Sequence, residues 1–354
     1  MASTPNIYSI VQDYYGETLN SNSDLQTSAC CSSEEIPSYL KPLLKKIHTE
    51  VHTTFYGCGS PIPLALEGMT VLDLGCGSGR DCFLLSALVG ESGAVIGIDM
   101  TENQIAIAEK YIAYHTEKFK LERPNVSFRH GYIEDLSASG ISDESIDVVI
   151  SNCVVNLSPE KEKVFQEIFR VLKPGGELYF SDVFSDRRIP EELMSDPVLR
   201  GECLSGALYT EDFRRLLAQR ACPDVRIVSS RPLNGFSEAI ERKIGMIGFH
   251  SQTIRAFKLS DLEDRCEDYG HLATYLGTLK ESPHSFLLDN HHLFEAHRPL
   301  RICGNTASML CHTRYRDHFR IDGDRSRHFG LFPCDSVAVD PRSLFESSTD
   351  GRCC

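Results

Sequence analysis

The residues with the clearest potential for chemistry form a glycine-rich segment, in which Asp73 precedes Gly75, Gly77 and Gly79. An acidic residue, Asp99, follows about twenty residues later, which is the usual distance in nucleotide-binding βαβ units. The glycines follow an apolar run and precede a helical pattern, so they belong at the carboxyl end of a strand. Ligands of open parallel sheets bind at such ends, and an acidic residue after the second strand accepts hydrogen bonds from ribose hydroxyls. These residues therefore predict a site for a cofactor that contains a nucleoside.

The spacing of this segment narrows the class of cofactor. The third glycine comes two positions after the second, not three as in dinucleotide sites, and an acid lies two positions before the first glycine. This arrangement resembles motif I of the class I methyltransferases, which bind S-adenosylmethionine, whose cationic sulfonium and amino groups favour a nearby carboxylate. The resemblance implies further cofactor contacts from Met100, Ile133, Glu134 and Asn152. A Rossmann domain that binds NAD or a purine is the alternative.

Fourteen cysteines form the second chemical feature. In a reducing cytosol, cysteines serve in metal binding, catalysis or packing more often than in disulfides. Four have informative neighbours, namely Cys30, Cys58 between two glycines, Cys153 after a predicted strand, and Cys203 in a Gly-Glu-Cys-Leu-Ser-Gly segment. The cysteines from Cys222 to Cys334 show no readable pattern.

With these neighbours, the sequence resembles the arsenite S-adenosylmethionine methyltransferases from about Ile7 to Pro232. Segments that carry the resemblance include Val11-Gln12-Asp13-Tyr14-Tyr15-Gly16, Gly79-Arg80-Asp81-Cys82, Gly97-Ile98-Asp99-Met100-Thr101, Ala108-Glu109-Lys110-Tyr111 and Gly175-Gly176-Glu177-Leu178-Tyr179-Phe180-Ser181-Asp182. The last part of the chain is only loosely similar, although it also ends in a cysteine pair.

The resemblance implies that trivalent arsenic, as arsenite and then methylarsenite, is the methyl acceptor. It makes Cys153 and Cys203 steady arsenic ligands and Cys58 the third ligand, which also forms a disulfide with Cys30 during turnover. The chemistry agrees, because soft thiolates select soft centres and three of them leave the arsenic lone pair pointing outward. Such a lone pair needs no general base. Thioredoxin or glutathione would reduce the disulfide by exchange.

Alternating strand and helix patterns between Gly68 and Ser181 position these residues. They predict an α/β fold with a mainly parallel sheet covered by helices on both faces. The resemblance implies that this fold is a Rossmann-like class I methyltransferase domain with a seven-stranded sheet. We expect an N-terminal arm with the arsenic and redox thiols at 1–60, the cofactor-binding domain at 61–233, a smaller C-terminal α+β domain at 234–340 and a flexible tail at 341–354.

The charge and hydrophobicity of the sequence argue against nucleic-acid and membrane partners. A formal net charge of −14 argues against nucleic acid or an anionic membrane, because both require clustered basic residues. The apolar runs are too short to cross a bilayer and the first residues do not form a secretory signal, so we expect a cytoplasmic protein.

Two other functions remain open at this stage. A class I C- or O-methyltransferase acting on a small organic molecule would need an apolar acceptor pocket and no special thiols. A thiol-based arsenite-binding protein without turnover would bind arsenic and leave the methyl donor unchanged.

Overall fold

The computed structural model describes residues 36–55, 61–194, 196–201 and 203–333. Its α-helices, in chain order from α1 to α11, are Lys41–Leu44, Thr49–Thr53, Arg80–Val89, Glu102–Lys110, Ile112–Phe119, Lys161–Val171, Glu191–Met194, Pro197–Gly201, Thr210–Ala218, Glu238–Ile244 and Gly304–Cys311. The strands, from β1 to β13, are Thr70–Leu74, Ala94–Asp99, Val126–His130, Ile146–Asn152, Leu172–Ser185, Leu208–Tyr209, Val225–Pro232, Phe249–Phe257, His271–Tyr275, Ser285–Asp289, His292–Glu295, Pro299–Ile302 and Phe319–Asp322. None of the helices in these ranges is long and apolar enough to cross a membrane.

The main sheet has the order β3-β2-β1-β4-β5-β8-β7, and the short β6 pairs with the end of β5. Its first five strands run parallel, and β8 runs antiparallel between β5 and β7. The central strands β1 and β4 are buried almost throughout, as expected for a sheet covered on both faces. The predicted class I methyltransferase fold with a mainly parallel sheet is confirmed, and β6 is an addition to the seven strands of the path.

The chain order reverses at β1 and β4. The chain moves outward from β1 through β2 to β3, and β4 then returns to the other side of β1. Loops that leave neighbouring strands in opposite directions open a crevice at their carboxyl ends. The Gly75 loop after β1 and the Cys153 segment after β4 therefore face the same crevice.

The sheet continues beyond the predicted domain boundary at residue 233. Strand β8, Phe249–Phe257, is inserted between β5 and β7 and pairs with both along its length. Five of its nine residues are polar, yet eight of the nine are buried. The cofactor-binding unit therefore includes residues that the sequence assigned to the C-terminal domain.

Residues 36–55, which belong to the expected N-terminal arm, pack onto the core of the main sheet. Leu40, Ile47 and Val51 are buried in one cluster with Phe83 of α3. Two short helices, α1 and α2, form in this segment. Cys30, Cys58 and the tail at 341–354 lie outside the described residues.

The C-terminal part contains the three-stranded antiparallel sheet β12-β9-β13, the hairpin β10-β11 and helix α11. A buried charge cluster joins it to the main sheet. Glu177 of β5 accepts hydrogen bonds from Arg255 Nε at 2.5 Å and from the Tyr315 hydroxyl at 3.0 Å, and it also pairs with Arg314. Because an unpaired charge is costly in such a place, these partners fix the two parts against each other.

Candidate active site

A cleft of about 1030 Å³, including its open mouth, lies at the carboxyl ends of the central strands. The residues predicted to bind cofactor that line it are Asp73, Gly75, Gly77, Asp99, Met100, Ile133, Glu134 and Asn152. Cys153 also lines the cleft, so the structure brings the predicted cofactor residues and one predicted arsenic ligand into one site.

Gly75 and Gly79 must be glycine for different structural reasons. Gly75 has a φ of +71°, and a Cβ there would come within 2.3 Å of the Val154 side chain, so only glycine allows the β1 and β4 loops to meet. Gly79 has a φ of +86°, and its Cβ would approach the Phe128 ring to 2.7 Å. Gly79 does not line the cleft, and its role is close packing of α3 against β3.

Asp99 at the end of β2 holds the glycine loop in place. One carboxylate oxygen accepts from the Gly77 amide at 2.9 Å, and the other accepts from the Thr101 amide at 2.8 Å. Burial raises the pKa of Asp99, and these amide hydrogen bonds oppose that shift. Since a carboxylate oxygen accepts more than one hydrogen bond, both retain capacity for ribose hydroxyls.

Asp73 lies at the base of the cleft and is 3% exposed. Burial, followed by the nearby charge of Asp81, raises the pKa of Asp73 to about 8. The Cys82 thiol donates a hydrogen bond to the Asp73 carboxylate at 3.2 Å, and Asp81 is itself held by Arg80 and by the Asn152 amide. A carboxyl group of this kind is suited to a cationic ligand group, which would favour its ionised form.

The cleft also has residues that the sequence did not indicate. Gln104 lines the cleft, and its buried Oε1 has no hydrogen-bond partner among the described atoms. This is expected for an acceptor that binds a donor group of a ligand. Phe55 lines the mouth, and the Arg80 guanidinium stacks 3.1 Å from its ring centre. No local motif marks either residue. The combination of acidic, amide and apolar groups fits S-adenosylmethionine, which carries cationic groups, ribose hydroxyls and an adenine ring.

The two cysteines predicted as steady arsenic ligands lie together. Cys153 is 3% exposed and Cys203 is fully buried, and the Cys203 sulfur lies 3.4 Å from the Cys153 carbonyl oxygen. Both have left-handed backbones, with φ of +59° and +61°. That conformation costs a non-glycine residue about 1–2 kcal/mol, so it persists only where the surroundings enforce it. Strain at two neighbouring cysteines beside a cofactor cleft is typical of a functional site.

Cys153 is engaged in a disulfide bond in this structure. A disulfide sulfur cannot bind arsenic, because the thiolate is the ligand. Reduction must therefore come before any metal or metalloid binding by Cys153.

A buried polar network fixes the segments that carry the two cysteines. Asp182 at the end of β5 accepts hydrogen bonds from the Asn156 backbone amide at 3.0 Å and from its side-chain amide at 2.6 Å. Lys161 donates to the carbonyl oxygens of Asn156 and Ser158, at 3.2 and 2.9 Å. Burial lowers the pKa of Lys161 to about 8 and raises that of Asp182 to about 7. These contacts hold the turn after Cys153 against β5.

Gly206, in the Cys203 loop, lies directly against the Asn156 backbone. A Cβ at this position would lie 2.1 Å from the Asn156 carbonyl oxygen, a backbone atom that the network holds. We expect Gly206→Ala to displace the Cys203 loop from Cys153, at a cost of about 1–3 kcal/mol for the forced contact. The expected methyl transfer should fall at least about tenfold because a small misplacement of reactants greatly slows a reaction, while cofactor affinity stays within about twofold.

The matched control is Ser205→Ala. Ser205 is adjacent and buried, and its hydroxyl has no hydrogen-bond partner among the described atoms, so its loss should leave activity unchanged. Equal activity in the Gly206→Ala protein and the wild type would show that the approach of the two loops is not required.

Comparison with known proteins gives a consistent assignment. The methyltransferase domain family matches residues 65–221. The arsenite methyltransferase of Aquipseudomonas alcaligenes is 52% identical over 91% of this chain and 92% of its own length. The human arsenite methyltransferase is 44% identical over 96% of this chain and 91% of its own length.

A solved structure shows the same likeness. The crystal structure of an arsenic (III) S-adenosylmethionine methyltransferase from Chlamydomonas reinhardtii superposes with a TM-score of 0.81 and 45% sequence identity. The match covers 84% of this chain and 100% of the algal chain.

Proposed function

This chain belongs to the arsenite methyltransferase family, and from that premise we propose that Cys153 and Cys203 hold trivalent arsenic beside the cofactor cleft. The enzyme transfers methyl groups from S-adenosylmethionine to trivalent arsenic. The observation that supports the ligand assignment is the contact of the two strained, buried cysteines at the edge of the cleft. Cys58, outside the described residues, is proposed as the third ligand.

The residues of the chain have separate tasks in this proposal. S-adenosylmethionine, when bound, supplies an electrophilic methyl group on its sulfonium. Asp73 and Asp99 would hold its cationic and ribose ends, and Ile133 and Glu134 would lie against its adenine. Thiolates of Cys153 and Cys203 direct the arsenic lone pair into the cleft, so that the protein contributes mainly alignment. Neither cysteine needs a basic partner for this step, because the attacking electrons belong to arsenic.

Repeated methylation requires a reductant. Methylation raises arsenic formally from the trivalent to the pentavalent state, and two thiols that form a disulfide return it to the trivalent state. We propose that Cys30 and Cys58 form this disulfide and that thioredoxin or glutathione reduces it by exchange in the cytoplasm. The disulfide at Cys153 supports a need for reduction before substrate binds.

Cofactor binding should depend on pH through Asp73. Its raised pKa, about 8, means that the carboxyl group of the cofactor-free protein keeps its proton below that pH. A cationic cofactor favours the carboxylate, so binding below about pH 8 must release this proton, and affinity should fall by up to about tenfold per pH unit as the pH decreases. Above about pH 8 the affinity should level off.

Titration calorimetry in two buffers of different ionisation enthalpy measures the released proton. Asp73→Asn keeps the hydrogen-bond acceptor for Cys82 and removes the titration, so its affinity should be lower and nearly independent of pH. If the wild-type protein releases no proton at pH 7, Asp73 does not bind the cationic part of the cofactor.

A turnover assay tests the proposed function against its two alternatives. Purified protein with S-adenosylmethionine, arsenite and a thiol reductant should yield mono- and dimethylated arsenic, with one cofactor consumed for each methyl group. Arsenite that binds without loss of cofactor would indicate a binding protein. Cofactor that binds without any methylated arsenic would indicate an organic acceptor.

A further inference from the structure

A second pair of thiols lies outside the cleft, in the C-terminal part of the chain. Cys303 follows β12 and is 1% exposed, whereas Cys266, in the loop before β9, is partly exposed. The Gly304 amide donates to the Glu267 carbonyl oxygen at 2.9 Å, so the segments that carry the two cysteines lie side by side, and the Cys266 thiol hydrogen-bonds to the Cys303 sulfur. Two sulfur atoms in hydrogen-bond contact, one of them accessible, form a preorganised dithiol.

The Cys303 sulfur is surrounded by donors. It caps the N-terminus of α11 and accepts from the Thr306 amide at 3.4 Å, while the Thr306 hydroxyl lies at 3.3 Å and Arg226 Nη2 at 3.8 Å. The hydrogen bond from Cys266 has the largest influence on the pKa of Cys303 and lowers it, and Arg226 and Thr306 add to this effect against burial. The amide, hydroxyl and guanidinium contacts therefore favour the thiolate form of Cys303, which is the form that binds soft centres.

Fixed charges hold Arg226 in this position. Asp224 accepts from its Nε and Nη2 at 2.6 and 2.7 Å, and Asp289 accepts from Nη1 at 2.9 Å. Asp289 is also paired with His292. The Arg226 guanidinium is therefore already fixed beside the Cys303 sulfur in the ligand-free protein.

Helix capping alone does not explain a cysteine here. Serine, threonine, asparagine and aspartate are the preferred N-cap residues, and a sulfur at 3.4 Å is a weaker acceptor for the helix amide. A cap also requires no second thiol. The pairing with Cys266 therefore indicates a role for the sulfur itself.

The dithiol is separate from the cofactor cleft. One register row of the sheet runs through Asp73, Ile150, Tyr179, Arg255 and Arg226 in neighbouring strands. Four strand spacings separate its ends, or roughly 19 Å. A ligand at Cys303, beside Arg226, therefore cannot share the cleft that Asp73 lines.

We propose that Cys266 and Cys303 form an auxiliary site for a trivalent arsenical with two exchangeable positions, of which methylarsenite is the example that this enzyme makes. The inference rests on the proposed function for the supply of that ligand. Two arsenic–sulfur bonds form and two arsenic–oxygen bonds break. The hydroxyl groups leave as two water molecules, which take the Cys266 proton and one proton from solvent, and no electron is transferred.

Two sulfur donors favour a trivalent arsenical with two exchangeable positions over a metal ion. The described residues include no group of three or more histidine, cysteine or acidic side chains that could hold a metal ion. A metal such as zinc normally takes three or four protein ligands, whereas a monomethylated arsenical is completed by two thiolates. The partly exposed Cys266 provides the side from which the ligand enters.

The test counts bound methylarsenite on the full-length protein. Protein reduced with a phosphine is exposed to methylarsenite without oxygen, freed of excess ligand and measured for arsenic per chain. Variants Cys266→Ser and Cys303→Ser should each bind one equivalent less than the wild type. Cys303→Ser retains a good helix cap, so its fold should survive. Peptide mapping of the wild type should show Cys266 and Cys303 bridged by one methylarsenic group.

Cys222→Ser is the matched control. Cys222 is also fully buried and near Asp224, but burial raises the pKa of this thiol to about 12, and its variant should bind as much arsenic as the wild type. Wild-type stoichiometry in both Cys266→Ser and Cys303→Ser would overturn the proposal. If arsenite turnover persists in that case, only the auxiliary site fails. Loss of one equivalent in a chain that methylates no arsenic would instead leave the site standing without the proposed function.

Discussion

Cys203→Ser is expected to reduce arsenite methylation by about a hundredfold or more, because it replaces a soft ligand by a hard hydroxyl at the point where arsenic must be aligned. Serine is nearly isosteric, and its hydroxyl can still donate to the Cys153 carbonyl oxygen, the contact that Cys203 makes at 3.4 Å. The left-handed backbone at this position should therefore persist. Arsenic speciation by chromatography and mass spectrometry measures the rate, and cofactor binding by calorimetry shows that the cleft remains intact.

Cys222→Ser is again a useful control. Both thiols are fully buried, so both variants remove a sulfur atom from a packed interior. Cys222 does not line the cleft, and its variant should keep activity within about twofold. Wild-type methylation by Cys203→Ser would refute the assignment of this residue as a ligand.

The second large effect is expected at Asp99. Asp99→Ala removes the acceptor of the Gly77 and Thr101 amides and, in the proposed complex, the partner of the ribose hydroxyls. Hydrogen bonds to a charged group contribute about 1.5–3 kcal/mol each, so the loss of the two ribose contacts should weaken cofactor binding by at least about a hundredfold. Direct titration with S-adenosylmethionine gives the affinity.

Asp147→Ala is the control that distinguishes a loss of cofactor binding from a loss of thermal stability. Asp147 also accepts a backbone amide, that of Thr70 at 2.9 Å, and it pairs with Lys173 at 2.8 Å. Its removal should lower thermal stability to a similar degree and leave cofactor affinity almost unchanged. If the two variants bind cofactor equally well, Asp99 has only a structural role.

The cofactor half of the site could be predicted from the sequence because its signals are local. Asp73, the glycines and Asp99 are close along the chain, and a strand, a turn and a second strand bring them together. The central insertion of β8 could not be predicted in this way, since the position of a strand in a sheet depends on partners far away in the sequence.

Contacts between distant segments explain the other omissions. Phe55 reaches the cleft only because α1 and α2 pack on the core. The positive φ of Cys153 and Cys203 has no signal in the local sequence, because neither residue is a glycine. Capping by Cys303 and its contact with Cys266 likewise depend on the tertiary fold.

The most direct test of the central claim is a single-turnover experiment with a methyl-labelled cofactor. Reduced enzyme is loaded with one equivalent of arsenite and then mixed with labelled S-adenosylmethionine, for the wild type and for Cys153→Ser. We expect label on arsenic in the wild type and none in the variant, although both bind the cofactor. Labelled arsenic formed at the same rate in Cys153→Ser would show that arsenic is methylated without this thiolate, and the proposed site would be wrong.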